Sequence, residues 1–245
     1  MEGLFALSLR AAKWVSAGGA ILALLAGIVL TLHQISRARC FSVVGEAICR
    51  VETDAPLVAL TFDDGPTEEG VAIAIAALRE HGATATFFLI GEEAARRAPL
   101  VRRLLAEGHE VGNHSQTHQR MIFHLPAFYE REVMEADAAL RAAGVTRLDL
   151  FRPPYGRKLI GLPNALARHG YRMIMWDVED PTGAATPQAY ADAVVRQARP
   201  GSIILMHIMY RSNRIARESL PLVLRGLRSR GFLVVTVGEL LHQRG

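Results

Sequence analysis

Between residues 57 and 236, short apolar or β-branched runs alternate with amphipathic stretches, and this alternation constrains the fold more than any other feature. The runs cover 57–62, 84–89, 110–113, 148–151, 172–176, 202–206 and 232–236. Helical patterns lie between them, at 71–81, 92–107, 128–143, 162–169, 187–198 and 215–230. A glycine such as Gly82 or Gly108 often ends the helical pattern before the next run begins, as a left-handed helix end requires. Seven strand–helix units predict a mostly parallel sheet. Closure into a barrel is favoured over an open doubly wound sheet, because no glycine-rich phosphate fingerprint follows the first strand.

In a parallel barrel the active site lies at the C-terminal ends of the strands. The prominent polar residues collect there: Asp63 and Asp64 after strand one, His114 after three, Arg152 after four, Asp177 after five and His207 after six. In Thr61-Phe62-Asp63-Asp64-Gly65-Pro66 two adjacent carboxylates point in different directions. One can bind a cation while the other faces a water; by itself the pair also suits a solvated turn. In His114-Ser115-Gln116-Thr117-His118 the two imidazoles share one face if the segment is helical. With Asp64 they make a two-histidine, one-carboxylate set with open positions, suited to Zn²⁺ and able to hold Co²⁺, Ni²⁺ or Fe²⁺. Arg152-Pro153-Pro154-Tyr155-Gly156 is a rigid turn whose arginine can orient a carboxylate and whose Tyr155 amide can face a developing oxyanion. His207 leaves an apolar strand with the pKa range of a general acid.

These segments, in this order and with Leu205-Met206-His207, resemble the polysaccharide deacetylase family, carbohydrate esterase family 4, over about residues 56–236. The resemblance implies a distorted seven-stranded (β/α) barrel that removes N-acetyl groups from N-acetylhexosamine units of a polysaccharide. It implies Asp64, His114 and His118 as metal ligands, Asp63 as catalytic base and Arg152 as the residue that orients it. Tyr155 and Pro154 would contact substrate, and His207 would protonate the leaving amine. The family usually carries Asp-x-x-Asp-Trp after strand five. Here the chain reads Trp176-Asp177-Val178-Glu179-Asp180-Pro181, without the closing Trp. By spacing from Trp176, Glu179 is expected to support His207, with Asp177 as the alternative. Ile208 stands where an Asp is common. Two further readings stay open: deacylation of a lipid-linked sugar or an O-acetyl ester, and a carbohydrate-binding domain without catalysis.

Between Lys13 and Arg37 there is no charged residue, and 14–32 meets the roughly 20 apolar residues of a spanning helix. Residues 1–36 are therefore expected to be a transmembrane anchor or a signal segment, 37–55 a connector and 56–245 the catalytic domain. The anchor is preferred because no A-x-A site closes the stretch. The catalytic domain is expected on the periplasmic or extracellular side, although basic residues on both flanks also permit the cytoplasmic one. Cys40 and Cys49 form either a small disulfide loop, if that side is oxidising, or two unrelated thiols. Lys and Arg number 28 against 24 Asp and Glu, a charge of +4. The basic residues are scattered along the chain, so nucleic acid is not an expected partner.

Overall fold

The computed structural model describes residues 22–243. Seven of its strands fall on the seven predicted runs. They are β2 (Leu57–Asp63), β3 (Thr86–Leu89), β4 (Glu110–Asn113), β5 (Leu150–Phe151), β6 (Arg172–Ile174), β7 (Ile203–Met206) and β8 (Leu233–Val235). An eighth, β1 (Ala47–Ile48), precedes them. All pair in parallel in the order β1-β6-β5-β4-β3-β2-β7, with β8 beside the start of β2. The central strand β2 is buried from Val58 onward, as an unbroken apolar run covered on both faces must be.

Helices α2 (Glu68–Glu80), α3 (Gly91–Arg96), α4 (Ala98–Ala106), α5 (Pro126–Ala142), α6 (Gly161–Arg168), α7 (Pro187–Gln197), α8 (Arg214–Ser229) and α9 (Val237–Leu241) surround the sheet. Thr67 starts α2 by accepting a hydrogen bond from the Gly70 N–H, a normal N-cap. In α8, Ala216, Leu220, Val223, Leu224 and Leu227 are buried, a stripe at helical spacing facing the core. The single helix expected over 92–107 is two. The break falls at Arg97, φ −131°, because Pro99 has no amide hydrogen for the Ala95 carbonyl and its ring would clash with that carbonyl in a continuous helix.

The curled sheet fits a (β/α) barrel, and its two edges are joined by short bridges. Val178 accepts from the Leu205 N–H at 2.8 Å, and the Val51 N–H donates to Gly201 O at 2.9 Å. Gly201 sits at φ +78°, and a Cβ there would lie 1.8 Å from Val51 O, so only glycine allows this approach. The stretch 37–55 is therefore not a bare connector: β1 pairs with β6, and Ile48 and Val51 belong to the core. Their apolar side chains gain more by burial than a solvated link allows. Cys40 and Cys49 form a disulfide.

Residues 1–21, the larger part of the expected anchor, lie outside the described residues. Helix α1 covers 22–37 and exposes Leu22, Leu25, Val29 and Leu30. Among the described residues no helix is long and apolar enough to cross a membrane.

Candidate active site

The C-terminal ends of β2, β4, β5 and β7 meet at one mouth of the sheet. Asp63 closes β2 and is 3% exposed. Asp64 follows it in the left-handed region, φ 75°, which swings the second carboxylate away from the first. After β4 the segment carrying His114 and His118 is a loop, so the helical condition for a shared face is not the one that applies. Ser115 (φ 64°) and His118 (φ 58°) are left-handed. The loop is held by Asn113, which accepts from the Ser115 N–H at 2.9 Å, and by Ser115, whose hydroxyl accepts from the His118 N–H at 3.0 Å. Buried Glu132 of α5 accepts from both the N–H and the hydroxyl of Thr117. Backbone held in sparsely populated conformations concentrates at functional sites, and here it turns both imidazoles the same way.

One ligand atom each from Asp64, His114 and His118 lies within 4.8 Å of the other two. His118 Nε2 is 3.3 Å from Asp64 Oδ1. His114 Nδ1 is 2.8 Å from the Arg152 carbonyl, so it donates there and leaves the Nε2 lone pair facing Asp64. This tautomer lock is the usual support of a metal-binding imidazole. Burial, with the neighbouring His114, holds the His118 imidazole below its usual pKa, in the neutral form a metal needs. The donor set fits a divalent cation.

Arg152, wholly buried, fills the barrel interior beside this set. Its guanidinium donates to Asp63 Oδ1 and Thr61 Oγ1, each at 2.7 Å, and to Ile174 O and Met175 O. It lies over the Phe88 ring at 4.2 Å. Burial alone would raise the Asp63 pKa. The charges of Arg152, His114 and His207 and the hydrogen bond from Arg152 outweigh it and hold the carboxyl below its usual value. Asp63 Oδ2 is left 3.7 Å from His114 Nε2, facing the same space as the candidate ligands.

His207 follows β7. Its Nδ1 hydrogen-bonds Asp180 Oδ2, and its N–H donates to Asp180 Oδ1 at 3.3 Å. Burial opposes its charge, but the bond to Asp180 and the charges of Asp63, Asp180 and Asp64 push its pKa up to about 9. Tyr155, at φ 57°, closes the rim with its ring 4.7 Å from that of His118.

A family model for polysaccharide deacetylase matches residues 50–174. A chitooligosaccharide deacetylase of Sinorhizobium fredii is 36% identical over 200 residues, 76% of this chain and 92% of that protein. The chain belongs to the polysaccharide deacetylase family. A peptidoglycan-N-acetylglucosamine deacetylase of Bacillus cereus is 30% identical, over 82% of this chain and 95% of its own. The Bc1960 peptidoglycan N-acetylglucosamine deacetylase, solved with 4-naphthalen-1-yl-N-oxidanyl-benzamide, superposes with a TM-score of 0.74 at 26% identity. That match covers 79% of this chain and 91% of its own.

In this polysaccharide deacetylase-family chain Asp63, Asp64, His114, His118, Arg152, Tyr155 and His207 come together as described. Glu179 does not reach His207. It accepts from the Trp176 indole N–H at 2.9 Å and pairs with Arg39, because its side chain points to the opposite side of the segment from that of Asp180. Asp177 is turned towards the start of β7, accepting from the Ile203 N–H and the Ser202 hydroxyl, each at 3.0 Å. The residue at His207 is Asp180, also bonded by the Tyr190 hydroxyl; the spacing Asp177-x-x-Asp180 was the available signal. Pro154 is buried and holds the turn instead of offering a contact surface. Glu132 carried no signal, since a carboxylate inside a helical pattern reads as solvated.

Proposed function

We propose that the protein is a metal-dependent hydrolase that removes N-acetyl groups from N-acetylhexosamine units of a cell-envelope or extracellular polysaccharide. The observation that carries this reading is the convergence of three candidate ligands, a carboxylate held ionised and a supported imidazolium at one strand-end mouth. Asp64, His114 and His118 would hold the cation, most suitably Zn²⁺, with Co²⁺, Ni²⁺ or Fe²⁺ as alternatives. When bound, such a cation polarises a carbonyl and makes a water more acidic. Asp63, kept ionised, takes the proton of the attacking water at Oδ2, while Arg152 holds Oδ1 and so fixes the direction of that lone pair. The Tyr155 N–H supplies a donor for the oxyanion of the tetrahedral intermediate. His207, protonated at neutral pH, gives its proton to the departing amine nitrogen, and Asp180 stabilises the imidazolium beforehand. Acetate and a glucosamine unit result.

The Cys40–Cys49 disulfide supports an oxidising compartment, periplasmic or extracellular. The exposed apolar residues of α1 support attachment of residues 1–36 to a membrane. The test is acetate release from a panel of N-acetylated glycans. Asp63→Asn and His207→Ala should each lose it by at least about 100-fold, and a chelator should abolish it until Zn²⁺ or Co²⁺ is returned. Full turnover in both variants, or indifference to the chelator, would refute the reading.

A further inference from the structure

Three arginines on the rim of this site have no part in the chemistry above. Arg120 is exposed, and its guanidinium carbon stands 5.4 Å from the centroid of the Tyr155 ring. That ring is itself 4.7 Å from the His118 imidazole, so Arg120 is one aromatic ring away from a candidate ligand. Arg157, two residues beyond Tyr155, donates to the Ser36 hydroxyl at 3.0 Å. The Lys158 N–H donates to Ser36 O at 3.2 Å. These bonds bring exposed Arg37, the next residue of that segment, to the same rim.

Among the described residues none of the three is ion-paired: Arg120 lies over Tyr155, Arg157 bonds Ser36, and no carboxylate charge acts on Arg157. Their neighbours differ: Arg39 pairs with Glu179 and Arg152 with Asp63. Partial burial, then the charges of Arg37 and Arg120, lower the pKa of Arg157, so Arg157 lies in the field of both other cations. Scattered in sequence, they are clustered in space. Like charges gathered with no paired carboxylate among the described residues repel one another and set up a positive potential that attracts anions. The arginine fork matches carboxylate and phosphate geometry.

We infer that the rim formed by Arg120, Arg157 and Arg37 holds a fixed negative charge, a carboxylate or phosphate, carried by the glycan close to the N-acetyl group being removed. The preferred substrate is thus an acidic amino-sugar polymer and not a neutral chitin-like one. This rests on the proposed deacetylation at Asp64, His114 and His118. A bound anion would neutralise the cluster and orient the chain across Tyr155.

The test uses the full chain in neutral detergent. Acetate release is compared on neutral N-acetylglucosamine oligomers, on oligomers of equal length bearing carboxylates, and on oligomers bearing phosphate monoesters. The better of the two charged arms identifies the anion. At low salt kcat/KM should be about tenfold higher on that arm than on neutral oligomers. The advantage should lie in KM and shrink as ionic strength rises. Arg120→Gln combined with Arg157→Gln should raise KM about tenfold on the charged oligomer, leave kcat, and leave neutral oligomers unaffected. Arg120→Lys should retain part of the preference.

Equal kcat/KM on all three arms, or a double variant that slows neutral and charged oligomers alike, overturns the inference. Binding of the same oligomers is followed separately by calorimetry. If no oligomer releases acetate, the deacetylase reading fails. Salt-sensitive, arginine-dependent binding would still support the anion site, and its loss would overturn it. Arginine-dependent sedimentation with anionic but not zwitterionic vesicles, together with indifference to glycan charge, assigns the cluster to lipid and also overturns it.

Discussion

Arg152 is a full charge inside the barrel, and it is tolerated only because every side of it is answered. Asp63, Thr61 and two carbonyls take its hydrogen bonds, while Phe88 covers one face. Removing one member of such a pair leaves the other charged and dry. Arg152→Met should therefore cost about 3–5 kcal/mol of stability. Adding Asp63→Asn should restore part of that loss, since the stranded carboxylate is gone. Urea denaturation of the two singles and the double checks this; additive losses would show that the pair is not coupled. At His207 the electrostatics run the other way. Its pKa is raised to about 9, so the acid form is complete at neutral pH and is lost as pH rises through that value. The rate should fall on the alkaline side accordingly. Asp180→Asn removes a cause of the raised pKa, so the alkaline limb should move to lower pH as well as lose height. A limb that stays in place in the pH–rate profile would detach Asp180 from the acid.

Among the elements, the loop after β4 shows how imidazoles at i and i+4 converge without a helix. Left-handed turns at Ser115 and His118 do so, steadied by Asn113 and by Glu132 reaching across from α5. The segment 36–51 is the second instructive element. It carries Ser36 against Arg157, Arg39 against Glu179, and β1 against β6. Its disulfide closes a loop between residues nine apart, which limits the unfolded chain. Cys40→Ser with Cys49→Ser should lower stability by about 2–3 kcal/mol on loop-closure grounds. Denaturation of the oxidised protein against the double variant measures it; equal midpoints would show that the native contacts alone hold the segment.

For the whole molecule, barrel closure depends on residues that precede the repeating strand–helix pattern. Ile48 and Val51 are core residues, and the Val51–Gly201 and Val178–Leu205 bonds join the two edges. A chain that starts after residue 35 should keep its cooperative thermal transition, since β1 and the disulfide remain. A chain that starts at 56 loses two buried apolar side chains, each contributing about 1.5–3 kcal/mol, together with the edge bridge. It should melt lower or fail to fold, as circular dichroism would show; an unchanged melting temperature would make 37–55 dispensable after all.

Much of this was legible from the chain itself. The seven runs predicted the strands because a parallel strand buried on both faces must be apolar from end to end. The polar residues that interrupt them predicted the mouth, because charges leave such a sheet only at its ends. Local pattern could not choose among Asp177, Glu179 and Asp180, since backbone direction after β6 decides which carboxylate turns to His207. Nor could it give β1, two residues long and without periodicity, or bring Arg37, Arg120 and Arg157 together. Those depend on contacts between segments distant in sequence, and only the closed barrel makes them.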